Sequence, residues 1–359
     1  MIRLIKPYIT FDEVRDELEN IFDSGMLTSS IYSKTFPQNL SEYVGAKYAF
    51  NTTSATTALA MALDVLGIGI DDEVIISDFS FPATANVVEQ RGAIPVFADV
   101  NRETYNITAE KVKELITVKT KAVIFVCALG NPTGLHEVRA VCDEYGIPMI
   151  VDAACAIGSS ENDVKVGNIG DLSCFSFHPR KLLTSGEGGA ITTSNAEYAE
   201  MLSVKLAHGS KLIDGQMEFI TFGYNYRLSE IQCLMLIKQL TKLDFIVAER
   251  IEIQQYYSEK LKSLGMQPQL HADNAVHNMQ SIVFTVPDTV NRDKFIVDLK
   301  KCGVETTIGT YCLSNCTYYK KKYNKVQENS FWLEKNTISL PCYHNVEMRE
   351  VVDIIKQVL

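Results

Sequence analysis

Apolar positions follow two rhythms along the first two-thirds of the chain. Segments with apolar residues three and four apart, as in amphipathic helices, alternate with short and nearly continuous apolar runs. Such runs are typical of strands that are buried on both faces. From about residue 45 to residue 210 the pattern therefore predicts an α/β domain with a mainly parallel, mixed central sheet between layers of helices.

Individual helices and strands can be placed within this alternation. Predicted helices lie in TTALAMALDVLG, TANVVEQRG, TAEKVKELI and LHEVRAVCDEYG. Predicted strands lie in DEVIISDFSF, AIPVFADV, KAVIFVCALG, IPMIVDAACA and DLSCFSFH. Ligands of open α/β sheets bind beyond the carboxyl ends of the strands. The residues that follow each strand are therefore the first candidates for a functional site.

The pattern changes after Gly223. A long amphipathic stretch, LSEIQCLMLIKQLTKLDFIVAERIEIQQYYSEKLKSLG, predicts helix with a break inside it, and the tail then mixes strands and helices. We therefore predict a large domain over residues 1–240. A small α+β domain is predicted over residues 241–359.

Composition and charge narrow the classes of function. With 46% hydrophobic and 22% charged residues among 359, the chain is typical of a globular protein. A net charge of −10 without a basic tract argues against a nucleic-acid partner, and no apolar run is long enough to span a membrane. The absence of a targeting signal, and nine cysteines without a disulfide spacing, favour reduced thiols and a cytoplasmic location. No metal site is predicted, because Cys312 and Cys316 lack a second Cys/His pair.

Four features follow or end predicted elements: Lys181 after CFSFHPR, Asp152 at the end of IPMIVD, Phe81 after VIISDFS, and a Ser/Thr cluster at 52–57. Taken singly, each has an ordinary explanation, such as a solvated lysine, a helix cap or a core aromatic residue. Taken together they match pyridoxal phosphate (PLP). This cofactor needs an amine for its aldehyde, a carboxylate for its ring nitrogen, a helix N-terminus for its phosphate and an aromatic face for its ring.

At this point the sequence resembles the DegT/DnrJ/EryC1/StrS family of sugar aminotransferases, which are PLP enzymes of fold type I. The resemblance covers nearly the whole chain. It rests on SGMLTS, TSATTALAMAL, FSFPATANVVEQRGAIPVFADVNRETYNI, VDAACAIG, CFSFHPRKLLTSGEGGAITT, HGSK, GYNYRLSEIQ and LPCYHN. The lysine motif, the Asp motif and GYNYRLS are together highly specific.

The resemblance implies roles for matching residues. Lys181 would form the Schiff base and carry the proton, and Asp152 would pair with the pyridinium nitrogen. Asn225 would reach the phosphate from the neighbouring subunit, which implies a homodimer with shared active sites. The other implied cofactor contacts are Ala55, Thr56, Phe81, Cys155, Ser176 and His178. The resemblance also implies that the N-terminal segment contributes to the substrate side, where we expect Met26, Leu27, Thr28, His178 and Tyr311.

The sequence also departs from the family pattern. Cys155 stands where the family usually has a Gln that touches the ring hydroxyl, and Ala55 replaces the first Gly of the phosphate turn. Pro37 lies in a segment of the substrate side, and Cys127 stands where a strand end usually bears His. None of these changes removes the lysine or the aspartate.

The implied reaction is a transamination in two halves. An amino acid, by resemblance L-glutamate, gives its amino group to the cofactor, and a keto-sugar then takes it for surface polysaccharide or glycoside biosynthesis. The expected acceptor is a nucleotide-linked 3- or 4-keto-6-deoxy sugar. Two alternatives stay open from the residues: a small phosphorylated or cyclitol ketone as acceptor, and a non-catalytic PLP-binding regulator.

Overall fold

The computed structural model describes residues 1–359 as a chain of thirteen α-helices and eighteen strands. The helices are α1 (Arg15–Ser24), α2 (Ile31–Val44), α3 (Ala55–Val65), α4 (Ala83–Gln90), α5 (Ala109–Leu115), α6 (Leu135–Tyr145), α7 (Ala196–Lys205), α8 (Glu230–Leu240), α9 (Leu243–Leu261), α10 (Arg292–Lys301), α11 (Thr317–Tyr323), α12 (Glu328–Asn336) and α13 (Met348–Val358). The strands are β1 (Tyr48–Thr52), β2 (Glu73–Ser77), β3 (Phe79–Ser80), β4 (Ile94–Ala98), β5 (Thr120–Val126), β6 (Met149–Asp152), β7 (Ser160–Glu161), β8 (Val164–Lys165), β9 (Leu172–Ser176), β10 (Gly189–Thr193), β11 (Ser210–Ile213), β12 (Gln216–Phe219), β13 (Gln267–Pro268), β14 (Ala275–Val276), β15 (Ile282–Thr285), β16 (Thr307–Ile308), β17 (Tyr311–Cys312) and β18 (Thr337–Leu340).

The central sheet has seven strands in the order β1-β10-β9-β6-β5-β2-β4. Neighbours from β9 to β4 pair in parallel, and β10 is antiparallel to both β9 and β1. Alternate side chains of the strands enter two cores. Ile150 packs in the core under α3, α4 and α7, whereas Met149 and Val151 pack in the core under α2, α5, α6 and α8. The predicted α/β fold with a mainly parallel sheet is confirmed.

The pattern missed several elements. It did not predict β1 or the antiparallel β10, nor the hairpin of β11 and β12, which is largely exposed. No helix combines the length and apolar character that a membrane span requires. All nine cysteines are unpaired.

A second sheet, in the order β13-β15-β18-β16, packs with α9, α10 and α13. Two segments cross the position of the predicted boundary at residue 240. Ile2 forms a bridge with Val304, between α10 and β16, and β17 pairs with β3 beside the central sheet. The division into residues 1–240 and 241–359 stays a prediction.

Pro37 lies inside α2 without breaking it. Proline has no N–H, so the carbonyl oxygen of Ser33, four residues earlier, loses its helical donor. The side chain of Asn51 replaces that donor, since its Nδ2 lies 2.9 Å from the Ser33 oxygen. The departure from the family pattern at this position therefore leaves the helix intact.

Glu230, the first residue of α8, caps the N-terminus of α2. Its buried carboxylate accepts the N–H groups of Ser30, Tyr32 and Ser33 at 3.0, 2.7 and 3.0 Å. A negative charge at a helix N-terminus is also favoured by the helix dipole. Burial raises the pKa of Glu230, but the hydrogen bonds outweigh burial and lower it. This contact fixes the segment before α2 against the start of α8.

Glu230→Gln should destabilise the protein by about 1–3 kcal/mol at pH 7, because an amide donor replaces an oxygen that accepts backbone N–H groups. The pKa of Glu230 is lower in the folded chain, so its contribution is complete above about pH 5 and is lost as the pH falls through the folded value. Urea titrations should show a constant difference in free energy of unfolding between about pH 7 and pH 5, which narrows at lower pH.

Glu19→Gln is the matched control, because Glu19 is an exposed residue of α1. It should change the free energy of unfolding by less than about 0.5 kcal/mol. A difference for the Glu230 variant that does not depend on pH would contradict the capping role.

Candidate active site

A cavity of about 580 Å³ lies at the carboxyl ends of β5, β6 and β9. The last residues of these strands, Val126, Asp152 and Ser176, all line it. Its volume is in the range of small-molecule sites, and ligands of parallel sheets bind at this edge. The strand ends, where the sequence pattern favours a ligand site, therefore meet in one place.

Lys181 lies in the turn after β9 and lines the cavity. Its peptide N–H donates to the carbonyl of His178 at 2.9 Å, and the next residues, Leu182 and Leu183, are buried. Its Nζ lies 3.0 Å from Sγ of Cys155. Apolar side chains thus anchor the turn while the amine remains in the cavity.

The glycine-rich loop after the lysine returns the chain to the sheet. Gly186 and Gly188 have φ of 82° and 156°, a region that favours glycine. A Cβ on Gly189 would lie 2.3 Å from the carbonyl carbon of Ser54. Glycine at this position therefore allows β10 to approach the start of α3.

Asp152 is a buried carboxylate held by uncharged donors. Its Oδ2 accepts the hydroxyl of Thr84 at 2.8 Å, and its Oδ1 accepts the N–H of Ala154 at 3.2 Å. The Thr84 hydroxyl lies 2.9 Å from that of Ser80. Burial raises the pKa of Asp152, and these donors together with the charge of Lys181 only partly oppose the shift.

The N-terminus of α3 offers N–H groups to the cavity. Ser54 and Thr57 cap each other: the Ser54 hydroxyl accepts the Thr57 N–H at 3.1 Å, and the Thr57 hydroxyl accepts the Ser54 N–H at 3.0 Å. The N–H groups of Ala55 and Thr56 have no intrahelical acceptor, and both residues line the cavity. Ala55 lies within the helix and has no positive φ, so its Cβ is tolerated there.

Phe81, Ser176, His178 and Tyr311 are the remaining predicted residues that line the cavity. Phe81 is 64% exposed, and its ring meets that of Tyr311 edge-on at 6.2 Å. The Ser176 hydroxyl accepts the N–H of His178 at 3.4 Å, and Nδ1 of His178 accepts the N–H of Arg180 at 3.2 Å. Burial lowers the pKa of His178, which favours the neutral imidazole at pH 7.

Four predicted residues do not line the cavity of their own chain: Met26, Leu27, Thr28 and Asn225. The first three lie beside the start of α8, where Thr28 bridges to Ser229. Asn225 is exposed in the irregular segment that leads into the same helix. In a single chain all four residues are therefore exposed and lie outside the cavity that Lys181 lines.

Sequence reasoning missed three buried polar residues around the site: Thr84, Asn278 and Gln280. Thr84 belongs to FPATANVV, directly after a predicted strand, so its position was a usable signal. Asn278 and Gln280 precede β15 in the tail, and Gln280 is 98 residues from Leu182, the residue of the lysine turn that it contacts. No local pattern connects residues that far apart in the chain.

The donor set of the cavity fits PLP. A buried carboxylate with a raised pKa and no cationic hydrogen-bond partner favours a cationic group beside it, such as a protonated ring nitrogen. Lys181 would provide the amine for an aldehyde, and the N–H groups of Ala55 and Thr56 suit a phosphate. Asp152, Lys181 and the start of α3 would therefore hold the three polar ends of the cofactor.

Comparisons with known proteins agree with this chemistry. The model of the DegT/DnrJ/EryC1/StrS aminotransferase family matches residues 9–359. GDP-perosamine synthase of Vibrio cholerae is 31% identical over 365 residues, covering 99% of this chain and 98% of that protein. PseC of Helicobacter pylori, an aminotransferase involved in the biosynthesis of pseudoaminic acid, has a TM-score of 0.92 at 27% identity, covering 99% of this chain and 98% of PseC.

A third similar structure is the PLP-form of the putative sugar aminotransferase Spr1654 from Streptococcus pneumoniae. It has a TM-score of 0.90 at 24% identity and covers 99% of this chain and 98% of that chain. At this identity the likeness shows the fold.

Asp152→Asn should stabilise the protein in the absence of cofactor. The pKa of Asp152 is raised in the folded chain, so the wild type loses stability as the pH rises through the folded value, and the variant does not. The asparagine can accept the Ala154 N–H and donate to the Thr84 hydroxyl, which can rotate. Urea titrations should show the variant as the more stable protein at pH 7, with a difference that shrinks toward about pH 4.

Asp143→Asn is a control for which we expect the opposite change in stability, because a hydrogen bond from Arg139 lowers the pKa of Asp143. That variant should be less stable than the wild type at pH 7. An Asp152→Asn protein that unfolds more readily than the wild type at pH 7 would show that burial does not dominate at this carboxylate.

Proposed function

The chain belongs to the DegT/DnrJ/EryC1/StrS aminotransferase family, and from this premise we propose that it transfers an amino group from L-glutamate to a nucleotide-linked 3- or 4-keto-6-deoxy sugar. Family membership makes it a PLP-dependent aminotransferase with an amino donor and a keto-sugar acceptor. One observation carries the proposal: Lys181 and Asp152 line a single cavity with the N–H groups at the start of α3. The product would serve surface polysaccharide or glycoside biosynthesis.

Each group in the cavity has a proposed task. PLP, when bound, supplies an electron sink that stabilises negative charge at the α-carbon of the amino donor. Lys181 would tether the cofactor and, once released, take the α-proton of the donor at Nζ. Asp152 would keep a proton on the ring nitrogen, and Thr84 fixes its carboxylate. Further proposed cofactor contacts are Ala55, Thr56, Phe81, Cys155, Ser176 and His178, with Asn225 from a second subunit.

An exposed cation supports a nucleotide-linked acceptor. Arg180 is exposed and lines the cavity directly before Lys181. A guanidinium binds phosphate oxygens through paired N–H groups, so Arg180 suits the diphosphate of a nucleotide sugar. Phe81 and Tyr311 add aromatic surface at the same mouth, next to which a sugar ring would lie. The similarity to GDP-perosamine synthase also supports this class of acceptor.

An exposed apolar surface supports a homodimer with shared sites. The hairpin of β11 and β12 and the segment after it expose Leu212, Met217, Phe219 and Phe222 by 69, 67, 70 and 63%. Large apolar patches of this kind mark interaction surfaces. Asn225 follows the patch within a few residues and does not line its own cavity. A second copy on this surface would bring Asn225, and with it residues 26–28, toward the partner's cavity.

We expect two half-reactions that are visible in the absorption of the bound cofactor. Glutamate should convert the visible band of the PLP-loaded protein to one of shorter wavelength, and a nucleotide 4-keto-6-deoxy sugar should restore it. Lys181→Ala should abolish both changes, because no base is left to take the proton. Spectra recorded after each addition test both halves.

Lys113→Ala, at an exposed position of α5, should behave like the wild type. Restoration of the band by a small phosphorylated or cyclitol ketone, but by no nucleotide keto-sugar, would overturn the proposed acceptor. A spectrum that responds to other amino acids but not to glutamate would overturn the proposed donor.

Shared sites predict that two inactive variants complement each other. Lys181→Ala should have low aminotransferase activity because it lacks the proposed base, and Asn225→Ala because it lacks a proposed cofactor contact, a loss that is measured at limiting PLP. After unfolding and refolding of an equal mixture, half of the dimers contain one of each chain, and each of these has one site with both residues intact. The mixture should therefore recover about a quarter of the wild-type activity. No recovery in a mixture that contains mixed dimers would mean that Asn225 does not act across subunits.

A further inference from the structure

We propose that Gln280 is a positioning residue for Lys181, because its side chain binds both peptide groups that flank the lysine. The inference rests on the role proposed above for Lys181. It assigns a function in the site to a residue that lies in the C-terminal part of the chain, far from the lysine motif.

The amide of Gln280 makes two hydrogen bonds to the lysine turn. Oε1 accepts the N–H of Leu182 at 2.8 Å, and Nε2 donates to the carbonyl of Arg180 at 2.7 Å. These are the residues directly after and directly before Lys181. Gln280 is only 4% exposed, so water does not readily replace either bond. One side chain therefore fixes the backbone on both sides of the lysine.

Asn278 holds the neighbouring loop in the same way. Its Nδ2 donates to the carbonyls of Cys155 and Ile157 at 2.9 and 2.7 Å. Sγ of Cys155 is the atom that Nζ of Lys181 contacts at 3.0 Å. The two residues are also linked to each other, since Oδ1 of Asn278 accepts the backbone N–H of Gln280 at 2.9 Å. Together they fix the lysine backbone and the loop that its amine meets.

The backbone that carries both amides is itself strained and tightly held. Met279, between them, has φ of 52°, in the left-handed region that residues with side chains rarely adopt. Arg250 of α9 donates to the carbonyls of Met279 and Gln280 at 2.7 and 2.8 Å. A Cβ on Gly130 would lie 2.0 Å from Oδ1 of Asn278, so glycine makes room for that side chain. Strain of this kind persists only where the surroundings enforce it.

Backbone control of this sort matters for a lysine in particular. The lysine side chain is flexible, and its Nζ would have to reach the cofactor first and the α-proton of the donor later. A small error in orientation can lower a rate about a hundredfold. The bonds of Gln280 go to the flanking peptide groups and leave Nζ free. They can therefore position the lysine at both stages.

The test compares Gln280→Met with Gln239→Met. Methionine keeps the length of glutamine and removes both hydrogen bonds. Gln239 is a matched control, because it is buried and binds the N–H and carbonyl of Thr184, in the same loop, at 3.1 and 2.8 Å. Two quantities are measured on cofactor-free protein: the rate constant of covalent attachment of PLP, from the rise of the visible band, and the affinity for pyridoxamine phosphate, which has no aldehyde and cannot attach to the lysine.

Gln280→Met should lower the attachment rate constant about ten- to a hundredfold and leave the affinity for pyridoxamine phosphate close to that of the wild type. Gln239→Met should leave both quantities close to wild-type values. Equal losses of attachment rate in the two variants, or a parallel loss of affinity for pyridoxamine phosphate, would show a general structural role and overturn the proposal. An unchanged attachment rate in folded Gln280→Met would also overturn it.

Lys181→Ala separates this inference from the proposed function. If Lys181→Ala still attaches PLP covalently, the proposed role of Lys181 is wrong. If Lys181→Ala does not attach PLP but Gln280→Met attaches it at the wild-type rate, only the positioning role of Gln280 is wrong.

If circular dichroism shows that Gln280→Met does not fold, Gln280→Asn replaces it in the test. The asparagine keeps the amide but is one methylene shorter, so it cannot reach both peptide groups. It should lower the attachment rate in the same direction, and a wild-type rate would overturn the proposal.

Discussion

The parallel pairing of β6 with β9 is the contact on which the site depends. In this register Asp152 lies opposite Cys174, and the chain reaches the lysine turn shortly after β9 ends. Because parallel neighbours end at the same edge of a sheet, a carboxylate and an amine from distant parts of the chain face one cavity. The side chains of a strand alternate between its two faces, so a slip of one residue would exchange the core layers of Ile150 and Val151 and turn Asp152 away from Thr84.

The burial of Asp152 also determines which kind of ligand the cavity favours. A carboxylate removed from water is costly unless it is paired, and the hydroxyl and N–H donors around Asp152 carry no positive charge. A cationic ligand at this position removes the penalty, whereas a neutral or anionic one leaves it. At the other end of the cavity, the start of α3 presents N–H groups that favour an anion. These opposite preferences suit a ligand with a protonated ring nitrogen and a phosphate.

The sequence was most informative where chemistry and local pattern coincide. The α/β fold, most strands of the central sheet and the location of Lys181 and Asp152 at its edge followed from apolar runs that end in polar residues. The pattern missed β10, whose residues follow a glycine loop, and the β11–β12 hairpin, which has no apolar run. It also missed Gln280, because a buried glutamine has no periodicity and its partners are peptide groups that any sequence provides. The resemblance to the family implies substrate or cofactor contacts for residues 26–28 and Asn225, yet in a single chain these residues are exposed and do not line the cavity.

Contacts between the part of the chain that follows α8 and the region of the central sheet limit how the site can open. Asp78, buried after β2, accepts the N–H and hydroxyl of Ser314 at 2.7 and 2.9 Å, and Gln280 binds the lysine turn. A rotation of the part of the chain that follows α8 would break these buried hydrogen bonds and leave their donors and acceptors without partners, at a cost of about 1–3 kcal/mol for each buried group. Phe81 and Tyr311 are exposed at the mouth and lose far less by moving. Substrate entry is therefore expected to depend on the rim, while the lysine and the aspartate stay preorganised in a rigid base.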